Sequence, residues 1–205
     1  MTQDDLARTI LTKAGERDRF LVAIAGAPGS GKSTLSEKLL ASLDPGNTGI
    51  ATLVPMDGYH LDNSVIGPLG LLARKGAPET FNIAGLLSDL RRISARQGDV
   101  VVPVFDREID LARANARIVA GSARIILVEG NYLLLDAPGW REIGDLFDFT
   151  IFLDVSETEL EARLIRRWLD HGYEPEAARA KALGNDIPNA RLVQRNSRIA
   201  DLVVQ

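Results

Sequence analysis

The chain has 205 residues, 24 Lys+Arg against 28 Asp+Glu for a formal charge of −4, and no cysteine. That length suits one domain rather than two large ones. The acidic balance argues against a reader of nucleic-acid backbones, and the missing thiols exclude disulfides and thiolate metal sites. Hydrophobic residues make up 45% and charged residues 25%, the composition of a chain that folds around a core. No apolar run reaches the ~20 residues of a membrane span, and the acidic start Met1-Thr2-Gln3-Asp4-Asp5 is the reverse of a secretory signal. A single cytoplasmic domain over 1–205, with no nucleic-acid or membrane partner, is the expectation. Nothing in the pattern reads out an oligomeric state.

In chain order, residues 1–19 read as an N-terminal helix. Phe20–Ala27 is a short apolar strand running into a glycine-rich turn, and Lys32–Leu43 places Leu35, Leu39 and Leu40 on one helical face. Ile50–Pro55 is a second strand, with Asp57-Gly58 after it as loop. Asn82 suits the N-cap of a helix carrying Leu86, Leu87, Leu90 and Ile93. Val100–Phe105 and Arg117–Val119 flank a polar insert, predicting a hairpin within 99–120. Ile125–Val128 and Thr150–Leu153 are continuous apolar strands. Ser156 with Glu159 has the spacing of a capping box before a long helix, and Asp201–Val204 reads as a last strand. Continuous apolar strands alternating with helices predict an α/β fold: a doubly wound, mainly parallel sheet with helices on both faces.

Gly26-Ala27-Pro28-Gly29-Ser30-Gly31-Lys32-Ser33-Thr34 fits G-x-x-x-x-G-K-S/T between a strand and a helix. Glycines at such a turn let backbone N–H groups point inward at phosphates, and the helix start adds its positive dipole end. Lys32 then reaches the outer phosphates and the Ser33 hydroxyl serves a magnesium ion. Gly26, Gly29, Ser30, Gly31, Lys32, Ser33 and Thr34 are therefore the expected nucleoside triphosphate site. The motif leaves ATP and GTP open.

Three further features bear on what happens to the γ-phosphate. Asp57 follows a strand end, where ligands bind in open α/β sheets; it can take a proton from an acceptor hydroxyl, although Asp-Gly is also a common turn dipeptide. His60 either orients a substrate or is a solvated loop residue. Glu129 ends an apolar strand, as an acid near Mg²⁺ does, or is simply a surface Glu. Arg163, Arg166 and Arg167 form one helical stripe with Leu160, Leu164 and Trp168 turned away. Such a stripe can close over a triphosphate or lie as a solvated face paired with Glu157, Glu159 and Glu161.

Taken together, GAPGSGKST, MDGYHLDN, RKGAPETFN, VPVFD, VEGNYLLL and RLIRRW resemble the P-loop small-molecule kinases that group phosphoribulokinase, uridine kinase and bacterial pantothenate kinase. The resemblance runs from Phe20 to Val204 and points to the short branch labelled fructose transport system kinases. It implies Asp57 as catalytic base; Ser33, Asp57 and Glu129 around Mg²⁺; and Arg163 and Arg167, with Arg166 beside the nucleotide, as lid arginines within 156–180. It also implies an acceptor side built from Tyr59, His60, Arg74, Lys75, Phe81, Asn82, Phe105 and Asp106, the last two on the hairpin. Asn82 stands where relatives usually carry Asp, and Phe105 where uridine kinases present Tyr. The chain is much shorter than the pantothenate kinases. The expected activity is transfer of the ATP γ-phosphate to a hydroxyl of a sugar such as fructose, a nucleoside or a pantothenate-like acid. Arg74 and Lys75 suit an acidic acceptor, or are merely solvated. A nucleotide-dependent switch is the rival; no N-K-x-D guanine element supports it. An idle nucleotide binder has no chemical need for Lys32, Asp57 and Glu129 together.

Overall fold

The computed structural model describes residues 2–205. Five parallel strands form the centre in the order β2-β5-β1-β6-β7: β1 is Phe20–Gly26, β2 Ala51–Pro55, β5 Ile125–Gly130, β6 Phe149–Leu153 and β7 Leu202–Val204. Every residue of β1 and β5 is buried, which is why these strands are apolar without alternation: each of their faces is covered. Successive side chains nevertheless divide between the two faces. Leu21, Ala23, Ala25, Ile126 and Val128 join one core with α4 (Ile83–Ser94), the hairpin β3 (Val100–Asp106) and β4 (Leu111–Val119), and the buried Trp140 of α5 (Trp140–Gly144). Phe20, Val22, Ile24, Ile125 and Leu127 face the other way, against α1 (Gln3–Ala14) and α2 (Lys32–Leu43). A third, smaller cluster packs Leu160 and Leu164 of α6 (Glu157–Asp170) against Ala182, Ile187 and Ala190. These last residues belong to a single π-helical turn, Ala182–Asp186, and to α8 (Ile187–Asn196); the turn continues α7 (Pro175–Lys181). A four-residue α3, Asn63–Ile66, completes the helices. None of the described helices is long and apolar enough to cross a membrane.

Two local expectations need correction. The capping box at Ser156 is only half made: Ser156 Oγ accepts from the Glu159 N–H at 3.3 Å, but the Glu159 carboxylate binds Arg163 Nε at 2.7 Å instead of turning back. A guanidinium one turn on is a stronger partner for a carboxylate than a backbone amide. The complete box is at Thr2 and Asp5, opening α1. Much of the stretch read as a polar insert is strand, since β4 begins at Leu111 and pairs antiparallel with β3, leaving only 107–110 as the turn. Most of β4 is exposed, so its sequence carries no apolar alternation to betray it. Between the Val102↔Arg117 and Val104↔Arg113 pairs the register slips at Pro103, and Asn115 on β4 takes φ 55; Pro103 has no N–H for the ladder, as at most strand irregularities containing proline.

The hairpin reaches the site because Gly58 lets it. A Cβ on Gly58 would lie 2.3 Å from Pro103 O and 2.7 Å from Pro103 C, backbone atoms that cannot swing aside. Gly58→Ala is therefore expected to cost about 1–3 kcal/mol, the usual range for forced overpacking. A urea-midpoint comparison with the parent checks it, and an unchanged midpoint would show that β3 can retreat freely.

Candidate active site

The C-terminal ends of β1, β2 and β5 open into one cleft of about 1140 Å³. That exceeds the usual range for a single small ligand, about 300–1,000 Å³, and leaves room for two. Its floor is the loop from Gly26 to Ser33. A Cβ on Gly26 would lie 2.8 Å from Leu153 O, so only glycine lets this loop start against β6, and Gly31 caps α2 at φ 94. Lys32 is buried and donates to Ala27 O at 3.0 Å, which curls its side chain back over the loop. Burial pushes its ammonium below the usual lysine range, opposed by the Glu129 and Asp57 carboxylates. Ser30 Oγ is buried with no partner. An orphaned hydroxyl in a glycine-rich loop is a group that an anion's oxygens can satisfy, although Ser30, like Gly26, does not itself line the cleft, and its N–H donates to Ala27 O. Gly29, Gly31, Lys32, Ser33 and Thr34 all line the cleft.

Above the loop stand two acids. Glu129, at the end of β5, is buried, and its Oε2 accepts from Ser33 Oγ at a long 3.4 Å. Burial, seconded by the negative charge of Asp57, pushes its carboxyl up to about 6. Asp57 rides on the 3-10 turn Met56–Tyr59 that follows β2, and its Oδ2 accepts from Arg107 Nη2 at 2.8 Å. The described residues hold no cluster of three or more His, Cys, Asp or Glu able to cage a metal alone. One or two carboxylates, a hydroxyl and a phosphate site are instead the donor set of Mg²⁺, which keeps most of its waters and shares itself with the substrate. The oxygens of Ser33, Glu129 and Asp57 fit that ion.

The far wall is aromatic. His60 packs its ring 4.1 Å from Phe81 and 4.6 Å from Phe105, centroid to centroid. Its Nδ1 lies 2.8 Å from Asp57 O. A carbonyl only accepts, so the proton sits on Nδ1 and Nε2 is left as an acceptor. Burial pushes the imidazole below its ordinary value, partly offset by Asp57. Such a histidine stays neutral when folded but protonates near pH 6.5 when unfolded. Stability is then fully retained above pH 6.5 and declines as pH falls toward the lowered folded value. Accordingly, the parent should lose more denaturant stability between pH 7.5 and 5 than His60→Gln does; equal losses would mean the ring is solvated.

Of the other expected acceptor residues, Lys75 lies in the cleft, its Nζ 2.7 Å from Asp110 Oδ2 and 5.4 Å from the Phe105 ring centre. Four do not line it. Tyr59 is turned into the core, its hydroxyl donating to Asp89 Oδ2 at 2.9 Å. Arg74 is half exposed and bound to Glu79 at 2.6 Å. Asn82 caps α4 by accepting from the Gly85 N–H, which consumes its carbonyl oxygen. Asp106 pairs with Arg113 across the hairpin.

The arginine stripe divides in three. Arg167 faces the cleft and lies 3.4 Å from Asp186 Oδ2. Arg163, one turn earlier, reaches the carbonyls of Gly29 and Ser30 at 3.4 Å, on the loop's outer side. Arg166 pairs with Asp170 and is 75% exposed. With ~100° per residue, Arg163 and Arg167 are 40° apart, whereas Arg166 sits 100° from Arg167, at the edge of the stripe. Trp168, expected on the apolar side, also lines the cleft: its Nε1 donates to Asp186 Oδ2 at 2.6 Å. The reason is Asp186, a buried acid on the π-helical turn that draws both neighbours.

Arg107, Asp110, Asn131, Asn185, Asp186 and Asn189 line the cleft without having been singled out from the sequence. Arg107 directly follows the VPVFD motif and Asn131 the β5 Glu-Gly, so adjacency was a usable signal for these two. The π turn carrying Asn185 and Asp186 left none, although such turns gather at functional sites.

A parallel β2-β5-β1-β6-β7 sheet, a phosphate loop after β1, and acids at the ends of β2 and β5 define a P-loop kinase. The chain belongs to the phosphoribulokinase / uridine kinase family, whose model matches residues 21–205. It is 40% identical to the uncharacterized protein YggC of Escherichia coli strain K12 over 189 residues, 91% of this chain and 78% of that protein. Pantothenate kinase of Streptococcus pneumoniae strain 70585 is 32% identical over 82% of this chain, which spans only 56% of that enzyme. Among solved structures, a "putative fructose transport system kinase" from Silicibacter sp. TM1040 superimposes with a TM-score of 0.91 at 47% identity, covering 100% of both chains.

Proposed function

We propose that this protein transfers the γ-phosphate of MgATP to a hydroxyl of a small metabolite. The observation that carries the reading is the convergence of Asp57, Glu129 and Lys32 at one cleft whose opposite wall is His60, Phe81 and Phe105. In this reading the loop amides, Ser30 and Lys32 hold the phosphates, and Ser33, Glu129 and Asp57 receive Mg²⁺, whose charge supports the triphosphate. Asp57 takes the proton as the acceptor oxygen bonds to the γ-phosphorus and the bond to the β–γ bridging oxygen breaks, releasing ADP. Arg167 supplies further positive charge from the helix that closes the cleft, and Arg163 steadies the loop from behind. The aromatic wall and Lys75 face the acceptor, which is a sugar such as fructose, a nucleoside or a pantothenate-like acid. Tyr59 and Asn82 are assigned to support of that wall, through Asp89 and α4, rather than to contact.

Coupled ADP release with MgATP against a panel of sugars, nucleosides and pantothenate, beside a control without acceptor, tests the reading. One acceptor raising the rate well above the control sustains it. Brisk hydrolysis that no acceptor stimulates would favour a nucleotide-dependent regulator.

A further inference from the structure

Arg107 stands at the tip of the hairpin, with its side chain 60% exposed, and Asp57 is its single side-chain partner among the described residues. Asp57 likewise has no other side-chain hydrogen bond among them. The pair therefore occupies Oδ2 of the carboxylate assigned as base while leaving the arginine easy to draw away, since exposed pairs are worth only about 0–1 kcal/mol. The hairpin tip is also tethered to the acceptor side. Asp110 binds Lys75 Nζ at 2.7 Å, and Lys75 O accepts from Asn185 Nδ2 of the π turn at 2.9 Å. One continuous chain of contacts thus runs from the turn behind the closing helix, through the acceptor loop, to the hairpin and Asp57.

We propose that Arg107 is a positioning residue that restrains Asp57 until an acceptor enters, so that water is not activated in the acceptor's place. The inference rests on the reading of Asp57 as base. Without the restraint, a water oxygen bonds to the γ-phosphorus, the bond to the β–γ bridging oxygen breaks, the water proton passes to the free Asp57 carboxylate, and ADP and phosphate leave. With it, the oxygen that would take that proton is already engaged by a guanidinium and is turned away from the water. An entering acceptor hydroxyl, docked against His60 and Phe105, exchanges for the guanidinium. A kinase needs such discrimination because water is the smaller and far more abundant nucleophile.

The test uses the full chain with MgATP alone. Acceptor-independent ADP release is expected to rise about three- to fivefold in Arg107→Ala, the factor set by a half-exposed ion pair. The rise should be absent from Asp57→Asn/Arg107→Ala and largely reversed in Arg107→Lys, which restores the charge. A merely structural loss would lower the rate in every variant, and Arg107→Gln guards against a folding defect of the alanine. An unchanged or lower rate in both Arg107→Ala and Arg107→Gln overturns the proposal. So does a rise that persists in the double variant, because it would not run through Asp57. The base assignment is judged separately, by acceptor-dependent transfer in Asp57→Asn alone, so the two can fail independently.

Discussion

Replacing Lys32 with methionine is expected to lower acceptor-dependent phosphoryl transfer about 10²–10³-fold while leaving the fold intact. Its ammonium is buried and bound to Ala27 O within the loop, so it lies beside the phosphate site before the nucleotide arrives and has only to exchange that carbonyl for phosphate oxygens. A preorganised donor of this kind is worth about 2.7–4 kcal/mol in the transition state. Methionine keeps the unbranched stem and removes only the charge. Because burial already disfavours the charged lysine, its loss should not lower the melting temperature. Steady-state kinetics beside a thermal melt separate the two effects; a fall of less than tenfold would remove Lys32 from the transition state.

Asp57→Asn should reduce acceptor-dependent turnover by about 10²–10⁴, the usual worth of a general base. The amide matches the carboxylate in shape and can still accept from Arg107, so the hairpin stays where it is. Nucleotide affinity, carried chiefly by the loop, should change only a few-fold. Removing a negative charge beside Glu129 also relieves one of the two causes that raise that carboxyl. The acid limb of the pH–rate profile should therefore move to lower pH in whatever activity remains. Turnover within tenfold of the parent would mean that the acceptor hydroxyl needs no base here.

Much of the site was legible because its chemistry is local. The phosphate loop needs glycines at fixed offsets within nine residues, and the observed α2, Lys32–Leu43, has the bounds its leucine spacing predicts. Glu129 and Asp57 were readable for a related reason: each follows an apolar run, and a strand's end in a parallel sheet is where ligands are met. The hairpin was legible from its two limbs, Val100–Phe105 and Arg117–Val119, but the reach of its second strand back to Leu111 and the split of the arginine stripe were not. An exposed strand carries no period, and a helical wheel gives angles between side chains but not the positions of Asp170, Asp186 and the Gly29 carbonyl that sort them.

Fold class, the glycine-rich loop after β1 and the placing of Asp57 and Glu129 after strand ends follow from residues adjacent in the chain and from hydrophobic periods that any compact fold must respect. Which candidates face the cleft depends on packing between elements far apart in the chain. That packing turned Tyr59 into the core, used Asn82 as a helix cap and Arg74 as a partner for Glu79. It also brought Arg107 to Asp57 across 50 residues and Asn185 to Lys75 across 110. Such pairings depend on how the sheet, the hairpin and the π turn pack against one another. Polar side chains find their partners only once that packing has removed the alternatives in water.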